Sequence, residues 1–96
     1  MKIENKILDV IYNTIDDINT ELTQKMEKSF DTDIIGGGSI LDSLGVFTFV
    51  TNLENKLEEK FNQHISLIND DFLNGSTEHL ENVKQLQKYL MQILKD

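Results

Sequence analysis

Ser43 stands between Asp42 and Leu44, where the glycine-bearing run Gly36–Ser39 gives way to a stretch of apolar residues at helical spacing. A helix N-terminus carries unpaired N–H groups and a partial positive charge, so a phosphate ester on a serine placed there is well tolerated. A loop held against a rigid scaffold would keep such a group exposed. The chemistry this points to is anchoring of a phosphate-linked prosthetic group. The competing role is a plain helix N-cap, which serine fills often. Ser29, Ser39, Ser66 and Ser76 do not combine a helix-start position with the Asp-Ser-Leu context.

Other reactive groups give poorer patterns. Asp31-Thr32-Asp33-Ile34-Ile35-Gly36 opens like a calcium-binding loop with Asp42 at its twelfth position, but Ile35 occupies a ligand position, Gly38 replaces the apolar anchor and Asp42 replaces the bidentate glutamate. No metal site is expected there. Leu41-Asp42-Ser43-Leu44-Gly45 half-matches a nucleophile elbow, yet no strand precedes it and the parent fold needs far more chain. His64 and His79 lie in polar surroundings near expected helix ends and read as exposed, without the paired spacing of a metal site. Gly36 to Ser39 lacks the lysine of a phosphate-binding P-loop. No catalytic residue is assigned, and an enzyme is not expected.

The 96 residues contain no cysteine, so any thiol chemistry requires an added group. A net charge of −8, with nine lysines and no arginine, opposes binding to nucleic-acid phosphates and to anionic membranes. The same charge favours encounter with enzymes that present basic surfaces. The first twenty residues mix lysines with acidic residues unlike a signal peptide, and no apolar run approaches membrane-spanning length. The expectation is a single cytoplasmic domain over residues 1–96, monomeric and not inserted in a membrane.

The elements that must position Ser43 follow from periodicity. Ile3, Ile7, Ile11, Ile15, Ile18 and Leu22 recur at spacings of three and four and predict a first helix over roughly 3–27. Residues 30–42 lose the period and predict a long, functional loop. Leu44, Phe47, Val50, Leu53, Leu57 and Phe61 predict a second helix over 43–61. Val46 to Thr51 alone would suit a strand, but the helical period persists beyond it, where strand propensity vanishes. Residues 64–68 predict a short extended crossing that buries alternate side chains. A helix of one or two turns through Phe72 and Leu73, capped by Asn69 or Asp70 and ended by Asn74-Gly75, should follow. Val83, Leu86, Leu90 and Ile93 mark the last helix, with Tyr89, Met91 and Leu94 widening its apolar face; its start lies at Ser76 or Thr77, or at Asn82. The fold class is all-α: a small bundle of three main helices plus one short helix, with a long loop between helices 1 and 2.

The order of these features resembles the acyl carrier protein family over nearly the whole chain. It is carried by Leu41-Asp42-Ser43-Leu44 after a glycine-rich loop, by the following helix with Val46, Phe47, Val50, Leu53, Glu54, Leu57 and Phe61, by Ile65, Leu67 and the Asp70-Asp71 turn, and by a last helix with Val83, Leu86 and Leu90. The resemblance implies a carrier that holds an acyl or aminoacyl cargo as a thioester on 4′-phosphopantetheine attached to Ser43, with Asp42 and Leu44 as the flanking motif. Its implied partners are a phosphopantetheinyl transferase, a loading enzyme and a downstream synthase or transferase. Leu44, Phe47, Val50 and Leu53 are expected to face the bundle at the root of the arm, most simply as core. Leu44, Glu54 and Glu58 are the expected partner-binding residues. Many fatty-acid carriers are acidic at the second and fifth positions after the serine, where Gly45 and Thr48 stand here, which favours a specialised biosynthetic pathway. The alternative is an unmodified helical interaction module with Ser43 as a cap.

Overall fold

The computed structural model describes residues 2–69, 72, 74–75 and 77–94. Three α-helices form the frame: α1, Ile3–Asn19; α2, Ser43–Phe61; and α3, Val83–Ile93, with a single 3-10 turn at Glu78–Leu80 just before α3. The fold is a small all-α bundle, as expected. The short helix expected through Phe72 and Leu73 falls largely outside the described residues. Asn69 does accept the Phe72 N–H at 3.0 Å, the bond a capping side chain makes.

One apolar core joins the helices. Ile7, Ile11 and Ile15 of α1, Phe49, Val50, Leu53 and Leu57 of α2, and Val83, Leu86 and Leu90 of α3 are all fully buried. Each such side chain contributes roughly 1.5–3 kcal/mol by leaving water. Two polar side chains enter this core with their partners. Thr14 donates to the Val10 carbonyl at 2.8 Å within α1, and Gln87 donates to the Glu4 carbonyl at 3.0 Å, tying α3 to the first turn of α1.

α1 ends at Asn19, well short of residue 27. Ile18, Leu22 and Met26 continue a four-residue spacing, but the chain turns back on itself. The Asn19 side chain accepts the Met26 N–H at 2.8 Å and donates to the Met26 carbonyl at 3.0 Å, while the Lys25 ammonium donates to the Asn19 and Leu22 carbonyls. These bonds satisfy the end of the helix and turn Met26 into the core.

The connection from α1 to α2 is pinned to the entry of α3. Ile34 and Gly36 donate to the Glu81 carbonyl at 2.9 and 3.0 Å, Ile35 donates to Leu80 at 3.1 Å, and Val83 donates back to Thr32 at 3.0 Å. An isolated antiparallel bridge pairs Asp33 with Asn82. Asn82 is also the cap of α3, its side chain accepting the Gln85 N–H at 2.9 Å, which settles the start of that helix. Ile34 is fully buried at the centre of this clasp. The radius of gyration, 12.4 Å, matches the roughly 12–13 Å of a compact chain of this length, so the long loop lies on the bundle instead of extending from it.

The apolar face of α2 is turned relative to expectation. Val46 and Phe49 pack inward, whereas Leu44 is 73% exposed and Phe47 56% exposed. Val50 and Leu53 face the bundle as expected. The first turns of α2 are apolar on nearly every side, so periodicity admits two faces, and packing against α1 selects one. At the far end of α3, Ile93 is 38% exposed and Leu94, one residue beyond the helix, is buried in its stead.

Candidate functional site

The N-terminus of α2 is capped by Asp42. Its backbone is extended (φ −84°, ψ −177°), its side chain accepts the Gly45 N–H at 2.7 Å, and its carbonyl accepts the Val46 N–H at 2.9 Å. Ser43 is therefore the first helical residue and not the cap. It is exposed, and its hydroxyl has no hydrogen-bond partner among the described residues.

The other serines differ. Ser39 donates to the Ile34 carbonyl and accepts the Leu41 N–H at 3.1 Å; Ser29 accepts the Asp31 N–H at 3.2 Å; Ser66 donates to the Ile68 carbonyl at 3.4 Å. Ser76 lies outside the described residues. Local turns thus hold the hydroxyls of Ser29, Ser39 and Ser66, and leave that of Ser43 available.

Ser43 stands on the wall of an open groove of about 480 Å³. Ser43 and Phe47 of α2, Ile35 and Leu41 of the long loop, and Ile68 and Phe72 beyond α2 all contribute to its wall. The lining is mainly apolar, with Ser39, Asp42 and Ser43 as its polar residues. Phe47, which periodicity alone would assign to the core, borders this groove. Leu44 points to the other flank of α2, beside Leu22 and Thr48. A groove assembled from three separate segments leaves no local sequence signal.

The two glutamates expected to bind partners have different surroundings. Glu58 is exposed on α2. Glu54 is half-buried and accepts the Leu67 N–H at 2.5 Å, bracing the segment after α2. Between them, Lys56 pairs with Asp17 of α1 at 2.6 Å, a largely exposed contact worth about 0–1 kcal/mol.

The remaining candidates are engaged elsewhere. Asp33 accepts the Gly38 N–H at 2.8 Å, holding the glycine-bearing turn closed. Among the described residues no three histidine, aspartate or glutamate side chains converge as a metal site, and no helix is long and apolar enough to cross a membrane. His64 is exposed as expected, but His79 is half-buried: its ring lies 4.5 Å from that of Tyr89, centroid to centroid, and Nε2 is 3.4 Å from the Leu67 carbonyl oxygen. No histidine is among the described residues of the groove wall.

The arrangement can present a nucleophilic hydroxyl to an outside catalyst, with the first N–H groups of α2 near any phosphate attached to it and an apolar trough beside it. Comparison with protein-family models, with curated proteins and with solved structures yields no match.

Proposed function

We propose that this chain is a carrier protein that holds an acyl or aminoacyl group on a 4′-phosphopantetheine arm joined to Ser43. The observation that carries this reading is the Ser43 hydroxyl, exposed and without a hydrogen-bond partner among the described residues, on the first turn of a helix whose cap is supplied by Asp42. The residues present fit the group. A phosphodiester at Ser43 would extend from an exposed position beside the helix N-terminus, and the neighbouring groove is apolar enough to shelter part of an aliphatic cargo.

In this reading a phosphopantetheinyl transferase brings the catalytic groups. Ser43 Oγ forms a bond to phosphorus of coenzyme A, the nucleotide phosphate leaves, and the serine proton passes to the transferase or to solvent. When bound, the arm supplies a terminal thiol that holds the cargo as a thioester, which suits a chain that has no cysteine. Asp42 keeps the first turn of α2 closed, so that Ser43 is presented on fixed backbone. Glu58 and the exposed Leu44 offer a mixed acidic and apolar surface to a loading enzyme and to a downstream synthase or transferase. Gly45 and Thr48, where many fatty-acid carriers are acidic, favour a specialised pathway over general fatty-acid synthesis.

The exposed Leu44 and Phe47 also suit a second reading, an unmodified interaction module that docks by its α2 surface. Intact mass separates the two. After incubation with coenzyme A, magnesium and a broad-specificity transferase, the wild type gains one phosphopantetheine and Ser43→Ala gains none. An unchanged wild-type mass, or equal modification of the mutant, rejects the carrier reading.

A further inference from the structure

Part of the groove wall is supplied by residues outside the three helices of the frame. Ile68 lies on the connection that leaves α2 through Asn62, and Phe72 lies just beyond it. Within this connection Ile65 and Leu67 are buried, while Ser66 is exposed. Its internal bonds are local: Ser66 to the Ile68 carbonyl at 3.4 Å, Asn69 to the Ser66 carbonyl at 3.5 Å, and the Phe72 N–H to the Asn69 side chain at 3.0 Å. Two polar contacts with the rest of the molecule meet at Leu67. The Glu54 carboxylate accepts the Leu67 N–H at 2.5 Å, and His79 Nε2 stands 3.4 Å from the Leu67 carbonyl oxygen, a marginal contact by comparison. Leu67 is fully buried and its N–H is given to the half-buried Glu54 carboxylate, so removing that carboxylate takes away the acceptor that holds the peptide in place.

Glu54 also occupies a particular place on α2. Ser43, Phe47 and Glu54 fall within about 40° of one another around the helix, at about 100° per residue, so the carboxylate lies below the groove on the face that begins with Ser43. One helix thereby supplies the serine, part of the groove wall and the carboxylate bonded to the segment that carries Ile68.

We propose that Glu54 is a latch for this groove: a positioning residue that, through the Leu67 peptide, holds Ile68 and Phe72 at the spacing from Phe47 that an apolar chain requires. That the occupant is a carrier's cargo rests on the function proposed above; the latch itself does not. A charge-assisted bond to a buried N–H is stronger than a neutral one. A glutamine can still accept the N–H through its amide oxygen, whereas an alanine cannot.

The test uses the unmodified full chain, so its outcome is independent of whether Ser43 takes an arm. Hydrogen exchange read by NMR should show the Leu67 amide protected relative to Ser66 and Ile68. Glu54→Ala should speed Leu67 exchange about 10–100-fold while Glu54→Gln, which keeps a neutral acceptor, speeds it clearly less. Fluorescence titration with N-phenyl-1-naphthylamine, an uncharged apolar probe, should give an affinity several-fold weaker in Glu54→Ala and restored in Glu54→Gln. Glu58→Ala, which removes the same charge one turn away, should change neither reading. The latch is rejected if Leu67 exchanges as fast as its neighbours in the wild type, a result that needs no variant to fold. It is likewise rejected if a folded Glu54→Ala leaves both readings unchanged, or if Glu58→Ala moves them equally.

Discussion

The Asp42 carboxylate accepts the Gly45 N–H at 2.7 Å, and this bond separates two roles that the sequence leaves merged in Asp42-Ser43. Capping belongs to the aspartate. Asp42→Ala should lower stability by about 1 kcal/mol, with Asp42→Asn closer to wild type because asparagine also caps. Ser43→Ala should fall within about 0.5 kcal/mol of wild type. Urea denaturation of the three variants checks the assignment, and a Ser43→Ala loss as large as that of Asp42→Ala would return the cap to Ser43.

Gly45 is close to the same carboxylate. Helix propensity alone expects a gain from replacing it, up to about 1 kcal/mol for alanine. A Cβ there would meet Asp42 Oδ1 and Leu41 Cδ2, both at 3.2 Å, so either the cap or Leu41 must give way. Gly45→Ala should therefore gain less than about 0.5 kcal/mol. Gly45→Glu should stay within about 0.5 kcal/mol of Gly45→Ala, because repulsion from Asp42 opposes attraction to the helix N-terminus, and the difference should narrow as salt screens both. Denaturation midpoints at two ionic strengths give the comparison.

The glycine-bearing turn offers a sharper steric contrast. At Gly36 a Cβ would lie 2.8 Å from Asp33 Oδ1 and 3.1 Å from the Glu81 carbonyl oxygen, whereas at Gly37 nothing lies within 4 Å. Gly36→Ala should cost about 1–3 kcal/mol by overpacking the clasp between the long loop and α3. Gly37→Ala should be nearly silent. Thermal unfolding of both distinguishes a clasp that bears on stability from a turn that merely lies on the surface.

Phe47 and Phe49 are two residues apart and opposite in environment, one 56% exposed and the other fully buried. Phe49→Ala should cost about 3–5 kcal/mol, the usual range for emptying a buried aromatic site. Phe47→Ser should cost less than about 1 kcal/mol while weakening binding of an apolar probe in the groove. Equal losses of stability would mean that both rings are core.

On the carrier reading, Glu58 is the clean test of charge on α2. Glu58→Lys should slow acyl transfer by a basic cognate enzyme, with the loss shrinking as salt rises. Glu54→Lys should also slow transfer, but with a component that salt leaves in place, because it removes the acceptor of the Leu67 N–H. Transfer rates for both variants at low and high ionic strength separate docking from groove geometry.

What the sequence determined by itself is the local part of this molecule. α2 runs from Ser43 to Phe61 as periodicity predicts, despite the strand-like Val46 to Thr51, because a helix spanning several turns is encoded in repeated i, i+3 and i+4 spacings. Its start at an Asp-Ser pair and its end at Asn62, which takes the left-handed conformation (φ 56°), are likewise short-range. The prominence of Ser43 among the serines was legible for the same reason.

Only the tertiary structure decided which face of α2 turns inward, where α1 stops and what Glu54 holds. Leu44 and Phe47 could have been core by spacing; Val46 and Phe49 are core because that side of α2 joins the shared apolar cluster, with α1 as the helix packed on it. Met26 continues the period of α1 yet enters the core by a reversal of the chain at Asn19, seven residues earlier. The Glu54 bond to Leu67 spans 13 residues, and the Asp33 bridge to Asn82 joins the long loop to α3. Such contacts carry no periodic signature, since they depend on where other segments bring their backbone, and the groove beside Ser43 exists only because three of those segments meet.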